Sequence, residues 1–237
     1  MSAKVLLRKT SLVDYPGCIS SVFFFPGCNL RCPWCHNREL VTGGAEGLVS
    51  LEDAFAHLRK RRAVLGGVVL SGGEPCLQEE LPRLVEEIKK LKLRVKLDTN
   101  GTVPRMLEKL FSREETKPDY IALDLKIAPE RYDELLPSPR PVHVSNPGEA
   151  LVQSAALVRA SGIAHEYRTL ALPGGFITET DIKALAPLAG NSPWHFRPFR
   201  GGNCLDPSWD PLEEPPAEAQ ARVAALGEKA RELVSSK

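Results

Sequence analysis

Three thiols within eight residues are the part of this sequence best suited to chemistry. Cys28-Asn29-Leu30-Arg31-Cys32-Pro33-Trp34-Cys35 sets its cysteines at C-x3-C-x2-C spacing, just after an apolar run. Thiolates hold iron–sulfur clusters, and a 4Fe–4S cluster ordinarily takes four of them. Three would leave one iron open to a cofactor or substrate, much as an open position separates catalytic from structural zinc. A structural zinc site, in a non-enzymatic metal-binding adaptor, is the competing reading. It needs a fourth ligand, and His36 abuts Cys35 directly, leaving little room for both on one tetrahedral ion. Cys18, Cys76 and Cys204 are other candidates, but none forms a second C-x2-C pair. Each of those three also reads as a small core residue.

Further polar groups punctuate the chain. Ser71-Gly72-Gly73-Glu74-Pro75, Asp98-Thr99-Asn100-Gly101 and Asp124-Leu125-Lys126 each close an apolar run, and Arg168 and Arg200 stand at or near two later ones. Glycines without side chains allow a ligand close to the backbone, whose carbonyls can accept bonds from an ammonium group. Lys126 offers a charge that would neutralise a carboxylate; its plainer reading is a surface pair with Asp124.

These groups need elements to position them. Strands are expected at Ile19–Phe25, Gly67–Ser71, Leu93–Asp98, Tyr120–Asp124, His165–Leu170 and Trp194–Phe199. Most are short apolar runs, as for strands buried on both faces. Helical patterns lie between them. Ser50 and Asp53 make a capping start, as do Thr178 and Asp181, while Asn146-Pro147 supplies an N-cap and first helical residue. Leu77, Leu81, Leu84, Val85, Ile88 and Leu91 share one helical face. Repeated β-α alternation implies a parallel sheet with covering helices. Six units fall short of the eight in a closed barrel, so the expected architecture is an α/β open, partial barrel. The polar residues then converge, because ligands bind at the C-terminal edge of such sheets. Residues 1–206 are expected to form this barrel. Residues 207–237 follow as a Pro-rich connection and a final helix, Ala217 to Ser235, packed on or beside it.

Lys and Arg total 31 against 30 Asp and Glu, a balance that gives no support to nucleic-acid binding. Arg59-Lys60-Arg61-Arg62 reads as the solvated last turn of a helix. No run approaches the roughly 18 apolar residues of a membrane span, and Met1 to Pro16 lacks a signal peptide's apolar core. The expectation is a cytoplasmic protein, whose six cysteines serve metal binding or catalysis rather than disulfides.

The motif Cys28 to Cys35, with an aromatic Trp34 before its last cysteine, resembles the cluster motif of the radical S-adenosylmethionine (SAM) superfamily. The likeness runs from about Lys9 to Asp206. It implies a partial (β/α)6 barrel, a 4Fe–4S cluster on Cys28, Cys32 and Cys35, and SAM chelating the fourth iron. Gly72, Gly73 and Glu74 resemble the stretch that contacts the SAM amino group. Asp98, Thr99, Asp124 and Lys126 resemble segments of glycyl-radical-enzyme activases. That likeness places Asp98, Thr99 and Asp124 near the SAM methionine and a monovalent cation, Lys126 on the SAM carboxylate, Trp34 by the adenine and Arg168 near the ribose or carboxylate. Lys9 to Gly17, with Cys35-His36-Asn37, resembles the activating proteins of anaerobic ribonucleoside-triphosphate reductase. The implied partners are that glycyl radical enzyme and a flavodoxin- or ferredoxin-type electron donor. The rival within the superfamily is a small-molecule enzyme such as 7-carboxy-7-deazaguanine synthase, which shares the G-C-N-L-R-C segment.

Overall fold

A computed structural model describes residues 4–138 and 146–235 of the chain; the extreme ends of both expected spans, 1–3 and 236–237, lie outside the described residues. The strands are β1 (Lys4–Ser11), β2 (Ser20–Phe25), β3 (Val49–Ser50), β4 (Gly67–Gly72), β5 (Arg94–Thr99), β6 (Tyr120–Asp124), β7 (Ala164–Ala171) and β8 (Trp194–Pro198). The helices are α1 (Arg38–Thr42), α2 (Leu51–Arg61), α3 (Leu81–Lys90), α4 (Pro104–Phe111), α5 (Pro147–Ala160), α6 (Glu179–Ala189) and α7 (Pro216–Ser235). They build one sheet in the order β3-β1-β2-β4-β5-β6-β7-β8. From β2 through β8 the neighbours are parallel, whereas β1 pairs antiparallel with both β2 and β3. The order is linear, with β3 and β8 at opposite edges. The fold is therefore α/β, an open (β/α)6 barrel extended by one antiparallel ribbon.

The caps set the helix starts as their chemistry requires. Ser50 accepts from the Asp53 amide, Asn146 from Glu149, and Thr178 forms a full capping box with Asp181. Leu77 departs from expectation. It ends a 3-10 turn (Pro75–Leu77) ahead of α3 and is largely exposed, because Pro75 fixes a separate turn before the helix begins.

Alternate residues of each strand face opposite ways. Phe23, Leu70, Val95, Leu97, Leu123 and Tyr167 face the helices and are fully buried; each such side chain stabilises by about 1.5–3 kcal/mol. The concave face is polar. It carries Lys96 and Asp98 on β5, Tyr120 and Asp124 on β6, and Glu166 and Arg168 on β7, with Lys96 in register with Tyr120 and Asp124 with Arg168.

Helix α7 packs against β8 and α6 in the outer helical layer. Ala219 and Ala230 are buried there, and Lys229 reaches Glu179 at 3.1 Å.

Candidate active site at the C-terminal edge of the sheet

The cysteine loop leaves β2 through Gly27, whose φ of 88° is open to glycine. Its amide bonds the Leu40 carbonyl at 2.9 Å, and its carbonyl accepts from the Glu74 amide at 2.9 Å. A Cβ on Gly73 would lie 1.9 Å from that Gly27 oxygen. Gly73 is thus required by the close approach of the cysteine loop, and Gly72 by its φ of 120° and by Phe25, whose backbone nitrogen a Cβ would meet at 2.3 Å. The Arg31 guanidinium bonds the Cys28 and Leu30 carbonyls at 2.7 and 2.9 Å, and the Asp206 amide bonds the Pro33 carbonyl at 2.9 Å. Trp34 sits among Phe176 and Trp209, with ring centroids 5.1 and 5.3 Å away. Asp206 and Trp209, at the start of the Pro-rich connection, thus rest against the cysteine loop.

Cys28, Cys32 and Cys35 line one cavity of about 250 Å³, together with Gly72, Gly73, Glu74, Asp98, Thr99, Asp124, Lys126 and Arg168. A second lobe of about 320 Å³ shares Trp34, Asp124, Lys126 and Arg168 and adds Thr169, Leu170 and Arg197. The two lobes reach the volume of small-molecule sites, ~300–1,000 Å³. Of the expected residues all but Arg200 reach the first lobe, and Arg200 lines neither. Arg197 occupies the place expected of Arg200, because β8 ends at Pro198 and Arg197 follows the inward parity of Arg168 and Leu170.

Glu74 does not offer its carboxylate to the cavity. Oε1 accepts from the Cys76 amide (2.9 Å) and Thr99 Oγ1 (2.8 Å), and Oε2 from the Asn100 amide (2.7 Å). It ties the end of β4 to that of β5. Asp124 is held by two cations. Burial works against its ionisation, but Arg168 and Lys126 outweigh this and draw its carboxyl down to about 2. Burial likewise opposes the Lys126 ammonium, and Asp124 more than compensates, holding it above the ordinary lysine range.

Burial pushes the Cys28 thiol up to about 11 and that of Cys32 to about 12. Binding of iron as thiolate must displace those protons. The Leu30 amide and Asn100 Nδ2 lie 3.4 and 3.7 Å from Cys28 Sγ. The His36 ring is 3.2 Å from the Gly202 carbonyl. Among the described residues, no three His, Cys, Asp or Glu side chains converge as they would about a single ion.

The profile of the Radical SAM superfamily matches residues 22–186. The chain belongs to this superfamily. Over 127 residues it is 35% identical to a provisionally named glycyl-radical enzyme activating enzyme of Methanocaldococcus jannaschii, covering 53% of this chain and 51% of that one. It is 39% identical over 121 residues to pyruvate formate-lyase 1-activating enzyme of Escherichia coli, covering 48% of each. A 7-carboxy-7-deazaguanine synthase of Hyperthermus butylicus is 38% identical over 91 residues, 38% of each chain. The chain thus spans about half or less of the curated relatives it matches. The fold is that of a radical SAM methyltransferase from Sphaerobacter thermophilus, with TM-score 0.63 at 17% identity over 92% of this chain and 65% of that one.

Radical SAM membership implies a 4Fe–4S cluster and SAM, and the donor set suits both. Three free thiols line the cavity, and Lys126 and Arg168 bring positive charge to it. Lys96 and Arg197 were not among the residues expected. The period-2 alternation along β5 and β8 could have placed Lys96 and Arg197 on the concave face.

Proposed function

We propose that this chain is a glycyl-radical-enzyme activase, with anaerobic ribonucleoside-triphosphate reductase as its partner. The observation that carries the reading is the meeting of three free thiols with Asp98, Asp124, Lys126 and Arg168 around one cavity. Cys28, Cys32 and Cys35 hold the 4Fe–4S cluster. When bound, the cluster supplies the electron that cleaves SAM to methionine and a 5′-deoxyadenosyl radical. Lys126 and Arg168 orient the SAM carboxylate, with Asp124 fixing both cations. The Gly72–Gly73 backbone receives the ammonium group. Trp34 and Leu170 wall the second lobe, where the adenosine fits beside Arg197.

The open barrel supports a protein substrate, since a glycine-bearing loop must reach the lobe. A flavodoxin- or ferredoxin-type donor supplies the electron. Sequence similarity to deazaguanine synthases supports a small-molecule enzyme as the second reading. Against it stand Val13-Asp14-Tyr15-Pro16-Gly17 and His36, where that family calls for Q-G-E-G and an aspartate. The test presents reduced, cluster-loaded protein and SAM to anaerobic ribonucleotide reductase and, separately, to pyruvate formate-lyase. A glycyl radical signal in electron paramagnetic resonance on the reductase is the expected result. A signal on the lyase alone would reassign the partner, and SAM turnover driven only by a small purine-like substrate would favour the second reading.

A further inference from the structure

The carboxylates expected to hold a monovalent cation are already neutralised by the protein itself. Asp98 presents Oδ1 to the Lys96 ammonium and Oδ2 to Arg168 Nη1 at 3.5 Å. Asp124 presents Oδ1 to Arg168 Nε and Nη2, each at 2.9 Å, and Oδ2 to Lys126 Nζ at 3.0 Å. All four carboxylate oxygens face a side-chain cation, and three cations serve two carboxylates. Thr99 is committed elsewhere: its hydroxyl donates to Glu74 Oε1 at 2.8 Å and accepts from the Gly101 amide at 3.1 Å. A hard cation takes several oxygens at once, and these three side chains do not fit that demand.

Lys96 makes the difference. Lysines are almost never fully buried unless paired, yet this side chain is 2% exposed in the middle of β5. Its ammonium lies beneath Asp98 and 6.0 Å from the centre of the Tyr120 ring. An ammonium is a compact point charge, close in kind to a bound potassium ion. We infer that the Lys96 ammonium takes the place of the monovalent cation, so that this chain organises its SAM site without sodium or potassium. Lys96 is not among the residues lining either lobe. It acts as a positioning residue: it holds Asp98, which with Asp124 grips Arg168, and Asp124 in turn holds Lys126. The statement about SAM rests on the activase reading; the charge geometry does not.

The test measures SAM binding to cluster-loaded protein at equal ionic strength in potassium, sodium, lithium and choline chlorides. For the wild type the affinity should agree across all four salts within about twofold. Lys96→Met removes the charge and should bind about tenfold more weakly in choline, with recovery in potassium or sodium. Lys96→Arg keeps the charge and should need neither. A second readout, thermal melting of the cluster-free protein, should show cation-specific stabilisation of Lys96→Met and none of the wild type. A wild type that needs potassium or sodium to bind SAM overturns the inference, as does a Lys96→Met variant with full affinity in choline. If Lys96→Met does not fold, the wild-type salt series decides alone. If no preparation binds SAM, the activase reading fails, and the melting experiment still judges Lys96.

Discussion

The two faces of β5 obey different rules. Val95 and Leu97 point to the helices and are fully buried among aliphatic neighbours. Lys96 and Asp98, their immediate neighbours, point into the barrel and pair with one another. On the outer face the requirement is shape and volume. On the inner face it is charge balance, carried through Lys96, Asp98, Arg168, Asp124 and Lys126 in alternating sign. A second inner group extends the pattern: the Tyr120 hydroxyl donates to Glu166 at 3.2 Å, and the His195 ring lies 3.7 Å from the same carboxylate. One strand can therefore serve the core and the site at once, and changes on its two sides should fail in different assays.

The sharpest break is expected from Arg168→Leu, which strips a cation from both carboxylates. Removing one partner of a buried ionic pair costs about 3–5 kcal/mol, and SAM binding should be lost with it. Denaturant unfolding of the cluster-free protein and a SAM titration read the two effects. Leu97→Ala, on the opposite face, should cost about 3 kcal/mol while the folded fraction binds SAM as the wild type does. A tenfold loss of SAM affinity in Leu97→Ala would mean that the faces are not separable.

Asp124→Asn is the next smaller effect. The native carboxyl titrates near 2 against an ordinary 3.8, so its ionised form is favoured by folding, with a contribution of about 2 kcal/mol. That contribution is complete above about pH 4 and is lost as the pH falls through about 2. The stability gap between wild type and Asp124→Asn should close over that window in acid-titrated unfolding curves. Thr178→Ala removes the capping box of α6 and should cost only about 1 kcal/mol, with no change in SAM binding.

Most of the framework could be read from local patterns. The run Tyr120–Asp124 is a strand with the same bounds in the structure, and five other strands fall within a residue or so at their ends. The β1 strand escaped because Lys4–Ser11 has no clean alternation: its middle is partly exposed and it lies beside the two-residue β3, at an edge that tolerates charge. At the site, the cysteine spacing was explicit because all three ligands sit in one loop. Lys96 was hidden for the opposite reason. In Arg94-Val95-Lys96-Leu97 a lysine reads as surface charge unless the alternation with Val95 and Leu97 is followed, and the register with Tyr120 shows that it points inward. Trp34 and Trp209 are 175 residues apart in sequence but in ring contact, a pairing no local pattern contains.

The most direct test of the central claim, that the cysteine loop and the inner charges form one SAM-cleaving site, is anaerobic reconstitution with iron and sulfide followed by SAM and dithionite. The quantity measured is 5′-deoxyadenosine. Wild-type protein should produce it, and Cys32→Ala should not. A well-formed cluster that yields no product, or a Cys32→Ala variant as productive as the wild type, would contradict the account.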